Sequence, residues 1–403
     1  MQKEIKLKLL YIHQYFITPK EAGGARSYYV AKKLVENGVK VTVITSNTKY
    51  KDWDFVETKN IDGIEVKYIK NYYDSSMGKF MRIFSFFKFM LYSTIFALKE
   101  KNVDILFASS TPLTIGLPAL IKNFFNKNIK FVFEVRDVWP AIPYEMGYIK
   151  NKMVFQLLKL FERKLYDSSD KIITISEGIK QKIDVEFHHK IKVFPFGSNL
   201  NLFNLDKKNT WKLKNNINQE MLYVFTGAVG LVNGLEYLIE TAKILQKKCD
   251  NIHIAVVGNG SAKESMIQVS KDYRLTNISF FEPVPIEELN KIYESADAGI
   301  ILFGKESESY RFTASPNKFF DYIAAGLPFF FNFGGPLKDL IENKNVGIYT
   351  NYLTPEDLAE KMMYYAKNKK QLYEIGQNGR KLAENEFERE QILENMIKEI
   401  LNA

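Results

Sequence analysis

Lys318 and Asp321 stand one helical turn apart in the stretch Thr313–Pro328, TASPNKFFDYIAAGLP. The apolar run Ala298–Phe303 before it reads as a buried parallel strand. Ser315-Pro316-Asn317 puts a capping residue and a proline at the expected helix start. Phe319, Phe320, Ile323 and Ala324 recur at helical spacing, and Gly326-Leu-Pro328 ends the helix. Strand, loop and helix N-terminus together aim free N–H groups and a positive dipole end into the loop, which suits a phosphate. Lys318 adds a full positive charge there. Asp321 is placed to accept both hydroxyls of a ribose. The same stretch also fits an ordinary capped helix with a surface lysine and aspartate.

Other residues of chemical interest lie just past predicted strands. Lys8–Phe16 is a first strand, and the loop Ile17–Ala25 after it holds Gly23 and Gly24, where backbone can approach a ligand. His13 sits near the end of that strand, placed for a substrate contact or a structural hydrogen bond. Arg136-Asp137 follows the strand Lys130–Val135, a position suited to polar substrate contacts or to a plain loop ion pair. A second glycine loop, Gly227–Gly234, follows the strand Met221–Thr226. The histidines His13, His188, His189 and His253 show no zinc-protease spacing, and Cys249 stands alone. No metal or other cofactor is expected. A single cysteine excludes a disulfide framework and suits a reducing, cytoplasmic compartment.

These loops need elements to position them. The order β–glycine loop–α–β recurs on both sides of the polar, Asn-rich stretch Gly197–Lys214, which reads as a linker. The expected fold is therefore α/β, with two doubly wound Rossmann-like domains facing a cleft. Residues 1–200 form the first, 215–385 the second, and 386–403 a helix returning to the first. At 403 residues, with 46% hydrophobic and 26% charged side chains, the chain is long enough for two cores and too apolar for disorder. The net charge of +9 suits phosphorylated substrates or an anionic membrane. Without zinc-finger spacing or a long basic tract, no nucleic-acid partner is expected. The start MQKEIKLKLL is too broken by charge for a signal peptide, and no stretch is long and apolar enough to span a bilayer. Met81–Leu98 reads either as a buried helix or as an interfacial one, with aromatics in the headgroup boundary and Lys79, Arg82, Lys88 and Lys99 on anionic lipid. Lys122–Lys127 and Lys130-Phe131 are further basic aromatic pieces.

The motifs HQYFITP with Gly24 and Arg26, EVRDVWP, TGAVGLVNGL and SPNKFFDYIAAGLP, in this order over nearly the whole chain, resemble the two-domain GT-B retaining glycosyltransferases of carbohydrate family 4. Within them the sequence looks most like the bacterial O-antigen and capsule branch, which includes N-acetylfucosaminyltransferases. The resemblance implies a nucleotide diphosphate sugar held by the second domain and an acceptor held by the first. It implies a phosphate loop at Ser315, Pro316, Asn317 and Lys318, with Asp321 on the ribose. It places Gly230, Asn233 and Gly234 near the phosphates, and Gly23, Gly24 and Arg26 over the sugar and leaving group. Arg136 and Asp137 then contact sugar or acceptor. The broad family has an acid eight residues before Asp321. Thr313 stands there, while Glu306 and Glu308 are out of register. The family's basic pair in the second glycine loop is replaced by Ala228 or Val229 and Asn233, which leaves Lys318, Arg311 and Arg26 as candidate cations. The implied activity is transfer of a sugar, with an N-acetylated hexosamine or deoxyhexosamine and UDP as the expected donor parts. The implied acceptor is a polyprenyl-diphosphate-linked saccharide on the inner face of the cell membrane. An epimerase or hydrolase of the same architecture, or a non-catalytic nucleotide-sugar-binding scaffold, are the competing readings.

Overall fold

The computed structural model describes residues 7–21, 23–47, 55–71, 79–203, 208–304, 308–352 and 354–403. Glu306, residues 204–207 of the expected linker, and the side chains of Lys79 and Arg82 lie outside this description. The chain divides into two compact units. Unit 1 takes Met1–Thr18, Ala25–Pro195 and Ile392–Ala403; unit 2 takes Pro19–Gly24 and Phe196–Gln391.

Unit 1 is built on eight strands: β1 (Lys8–Ile12), β2 (Lys40–Asn47), β3 (Val56–Ile61), β4 (Ile64–Lys70), β5 (Ile105–Ser109), β6 (Lys130–Val135), β7 (Lys171–Thr174) and β8 (Ile191–Val193). They lie in the order β3-β4-β2-β1-β5-β6-β7-β8. All pairs are parallel except β3–β4, a hairpin turned at Asp62-Gly63 with both residues at positive φ. The charged edge strand β3 was not evident from the apolar pattern. Strand order reverses between β1 and β5, and in such sheets ligands gather at the carboxyl ends beside the reversal. The first strand stops at Ile12, short of the predicted Phe16, so His13 begins the loop.

Unit 2 has six parallel strands, β9 (Met221–Thr226), β10 (Ile252–Val257), β11 (Ile278–Phe281), β12 (Ala298–Ile301), β13 (Phe329–Phe331) and β14 (Ile348–Tyr349), ordered β11-β10-β9-β12-β13-β14. Its reversal lies between β9 and β12. The strands are buried on both faces, which explains their unbroken apolar runs. The helical tail is two helices, Lys369–Glu386 and Arg389–Leu401. The second buries Leu393, Met396, Ile397 and Ile400 in the unit 1 core.

Helix Lys79–Lys99 is neither wholly buried nor wholly free. Ser85, Phe89, Ser93 and Ala97 form its packed face. Phe80, Phe84, Phe87, Leu91, Ile95 and Leu98 form an exposed apolar stripe at helical spacing, with Phe80 89% exposed. Phe124 and Phe125 at the end of helix Gly116–Phe125 are also exposed, as are Met153, Leu157 and Leu160 on helix Lys152–Ser168.

Arg26 departs from the expectation of a cation over the sugar. It is 5% exposed, and its Nε donates to Oε1 of the fully buried Glu134 at 2.8 Å. Its other nitrogens donate to Pro195 O at 2.7 Å and Phe194 O at 2.8 Å, and one approaches Met396 Sδ. Ser109 Oγ donates to the second Glu134 oxygen. Burial alone would raise the Glu134 carboxyl, but Arg26, Arg136 and the Ser109 hydroxyl outweigh it and hold the group below its ordinary range. Arg26 therefore ties β5, β6, the segment after β8 and the C-terminal helix together. Its loss leaves a buried carboxylate without its ion-pair partner, which costs about 3–5 kcal/mol. Arg26→Met should lower the urea midpoint accordingly, and adding Glu134→Gln should recover part of it. Unchanged stability with lost ligand binding would return Arg26 to the site.

Candidate active site

In unit 2 the loops at the β9/β12 reversal converge on helix Asn317–Ala324. Pro316, one residue later than the expected Ser315, is its N-cap residue, and its own side chain makes no capping hydrogen bond. The helix is fixed from behind. The Tyr322 hydroxyl lies 3.2 Å from Val224 O and 3.3 Å from Thr226 Oγ1. A Cβ on Gly299 in β12 would come within 2.4 Å of the Tyr322 ring, so a bare glycine lets the ring lie against the strand. Arg380 Nη1 donates to Ala324 O at 2.5 Å, covering the helix's carboxyl end.

Lys318 lies at the open end. Its Nζ sits 3.6 Å from the centroid of the Phe225 ring, beside Gly227. No carboxylate pairs with it among the described residues. Burial lowers its pKa to about 7. Asp321, 8% exposed, has its carboxyl raised to about 6 by burial, against a smaller lowering by Arg389. Gly24 belongs to this unit: a Cβ there would stand 2.5 Å from Asn317 Nδ2, so the Gly23-Gly24 backbone lies on the helix start. Arg311, at the end of helix Glu308–Phe312, stacks its guanidinium 3.4 Å from the Tyr352 ring centroid. Tyr352 donates to Gly304 O at 2.7 Å, which anchors that stack to the loop after β12.

The glycine loop separates by role. Space around Gly230 is open. Gly234, at φ 58°, would drive a Cβ to 2.8 Å from Phe303 O, so it serves close packing and not ligand approach. Asn233 donates through Nδ2 to Ala228 O at 2.8 Å and braces the loop internally. Thr313, in the place of the family's first acid, donates to Ser309 O at 2.9 Å.

In unit 1 the reversal between β1 and β5 gathers His13, Arg136, Asp137 and Thr111. His13 Nδ1 donates to Ser109 O at 3.1 Å, because its Nε2 accepts from Arg136 Nη1 at 3.3 Å. Burial, and then Arg136, push its pKa to about 4, so the ring is neutral. Thr111 Oγ1 donates to Asp137 Oδ2 at 2.7 Å, while burial raises the Asp137 carboxyl. This is a preset array of hydrogen-bonding groups.

Two protein families match the chain in succession. Glycosyltransferase Family 4 matches residues 23–202, and Glycosyl transferases group 1 matches residues 207–382. The chain is a GT-B glycosyltransferase of this group 1/family 4 type. A curated relative, the capsular polysaccharide biosynthesis glycosyltransferase CapM of Staphylococcus aureus, is 24% identical over 85% of this chain and 90% of its own. Among solved structures, the sucrose-phosphate synthase of Thermosynechococcus elongatus superposes with a TM-score of 0.75 at 14% identity, covering 98% of both chains. Anabaena HepE, solved with UDP and glucose, gives 0.70 at 13% identity over 98% of this chain and 100% of its own.

Sequence reasoning missed several residues of this glycosyltransferase. Gly258 and Gly260 support the glycine loop: a Cβ on either would come within 1.8 Å of Gly227 O or 2.4 Å of Val229 O. Their Gly-Asn-Gly spacing was a usable signal. Tyr352 carried none, since only the fold brings it to Arg311. An uncompensated amine such as Lys318 costs stability. Its folded pKa lies below the ordinary 10.5, so the penalty is complete below pH 7 and fades as pH rises toward 10.5. Lys318→Met should therefore unfold at a higher temperature than wild type at pH 6, with the gap closing toward pH 10. A less stable variant at pH 6 would contradict this assignment.

Proposed function

We propose that this glycosyltransferase moves a sugar from a UDP-linked donor to a lipid-linked saccharide during synthesis of a bacterial surface polysaccharide, with retention of anomeric configuration. One observation carries the donor half: a helix start bearing a lysine with no carboxylate partner among the described residues, with a nearly buried carboxylate one turn on. The diphosphate lies at Asn317 and Lys318 under Gly24 and Gly230, with Arg311 as the second cation. Asp321 accepts the ribose hydroxyls. As the bond from C1 to the leaving phosphate oxygen breaks, charge grows on that oxygen and is met by helix amides and Lys318. A preorganised donor of this kind contributes several kcal/mol, about 3–4 for one strong donor. The acceptor hydroxyl bonds to C1 and yields its proton to the departing phosphate. Asp137, Arg136 and His13 hold the acceptor. The capsule assignment of the Staphylococcus relative and the UDP in HepE support the polymer and the nucleotide; an N-acetylated hexosamine or deoxyhexosamine remains the proposed sugar.

The apolar stripe of helix Lys79–Lys99 supports a peripheral seat on the inner membrane face. No helix among the described residues is long and apolar enough to cross a membrane. The exposed aromatics stand near Lys88, Lys99 and Lys127, a pairing that favours anionic interfaces.

Thermal unfolding with UDP, GDP, ADP and dTDP tests the donor site. A nucleotide at 100 times its dissociation constant should stabilise the protein by about 2.7 kcal/mol. UDP should do so, and Asp321→Ala should abolish the shift without altering the unliganded transition greatly. Equal shifts in the variant would remove Asp321 from the ribose. Release of free sugar from the donor without any acceptor would favour a hydrolase. Separately, Phe84→Glu with Lys88→Glu should weaken sedimentation with vesicles of anionic phospholipid, while unchanged binding would leave the stripe without a membrane role.

A further inference from the structure

The carboxyl end of β9 grips helix Asn317–Ala324 through consecutive residues, Val224 to Gly227. Val224 O accepts from the Tyr322 hydroxyl at 3.2 Å. The Phe225 ring centroid lies 3.6 Å from Lys318 Nζ. Thr226 Oγ1 stands 3.3 Å from the Tyr322 hydroxyl and 2.9 Å from that of Tyr293. A Cβ on Gly227 would stand 3.7 Å from Lys318 Nζ. Lys318 and Tyr322 are four residues apart, so they share one side of the helix. Thr226 is also the last strand residue before the glycine loop, and that loop is pinned where it starts, with Gly227 N donating to Val257 O at 2.9 Å.

The three hydroxyl-bearing residues are buried, and the bonds between them have one polarity. The Val224 carbonyl can only accept, so the Tyr322 hydrogen points to it. Thr226 then donates to Tyr322 and accepts from Tyr293. Tyr293 is itself held by its ring contacts with Tyr322 at 5.2 Å and Phe203 at 5.3 Å.

We propose that Thr226 is a positioning residue for the donor site: its hydroxyl holds Tyr322, and with it Lys318 one turn earlier, at a set distance from the glycine loop, which fixes the gap that receives the second phosphate of the donor. This deepens the donor reading above and rests on it. Thr226 acts through the helix and not on the ligand. Without its hydroxyl, Tyr322 keeps one bond to β9 in place of two, and the helix start shifts against Gly227. A hydroxyl chain that served the core alone would cost stability on truncation and leave the ligand preference of the folded protein unchanged.

The test is calorimetric affinity for UDP and for UMP, with the thermal midpoint of each protein, in wild type, Thr226→Val, Thr226→Ser, Tyr322→Phe, Tyr293→Phe and Lys318→Met. Thr226→Val keeps the shape and removes the hydroxyl. It should bind UDP about tenfold more weakly, the worth of one good hydrogen bond, while UMP affinity holds. Thr226→Ser should restore the preference for UDP, and Tyr322→Phe should show the same selective loss. Tyr293→Phe should lower the midpoint and keep the preference, since the bond from Thr226 to Tyr322 survives. Equal losses for UDP and UMP in Thr226→Val overturn the inference. So does a wild-type preference there together with a lost one in Lys318→Met, which leaves the donor site intact. A wild-type preference in Lys318→Met overturns the donor reading itself. If Thr226→Val does not fold, Tyr322→Phe is set against Tyr293→Phe, and equal preferences in those two overturn the inference.

Discussion

Two ionisable groups with no ion-pair partner among the described residues, the half-buried Lys318 and the buried Asp321, stand at the helix end where the loops of the second unit converge. Lys318 has an aromatic face in place of a counter-ion. Asp321 has only the field of Arg389 against its burial. Neither arrangement favours the folded state, and under the proposed function each becomes favourable once an anion and a pair of hydroxyls arrive. Everything behind helix Asn317–Ala324 resists relaxation of that strained electrostatic state: the Tyr322 hydroxyl on β9, the bare Gly299 beneath its ring, and Arg380 at the carboxyl end. Preorganisation of this kind is how fixed charges stabilise a transition state without reorganising at the moment of reaction.

The first unit follows the opposite logic. Its central polar groups are paired internally, Arg26 with Glu134 and the neutral His13 between Ser109 and Arg136. Under the proposed function, one unit would hold a polyanionic donor and the other the hydroxyl-rich saccharide end of the acceptor. The glycines show a similar split. Gly24 leaves room for the Asn317 side chain at the helix start and the space around Gly230 is open, whereas Gly234, Gly258 and Gly260 let backbone pack against backbone.

The two doubly wound units were legible because parallel strands buried on both faces carry long apolar runs, as in Met221–Thr226 and Ile252–Val257. The edge strand Val56–Ile61 was not, since its central residues Glu57–Asn60 are all polar or charged and leave no apolar period. The helix expected at 386–403 begins at Arg389, after the break at Phe387-Glu388 that separates it from helix Lys369–Glu386. At the site, Lys318 and Asp321 were visible through local helix grammar. The true role of Arg26 was hidden, because its partner Glu134 lies 108 residues away. Local spacing reports what a helix end offers, while the partner that neutralises or orients a charge is decided by the sheet order.

The central claim is that the Lys318 amine is desolvated and waiting for the diphosphate. Calorimetric titration of UDP at pH 8, in buffers of different ionisation enthalpy, tests it directly, since UDP is fully ionised there. With a free-state pKa of about 7, Lys318 is mostly neutral at that pH, and an arriving diphosphate must draw a proton onto it. The account predicts uptake of about one proton per UDP bound, lost in Lys318→Met. Binding with no proton uptake would contradict it, showing an amine already charged or one that the diphosphate does not touch.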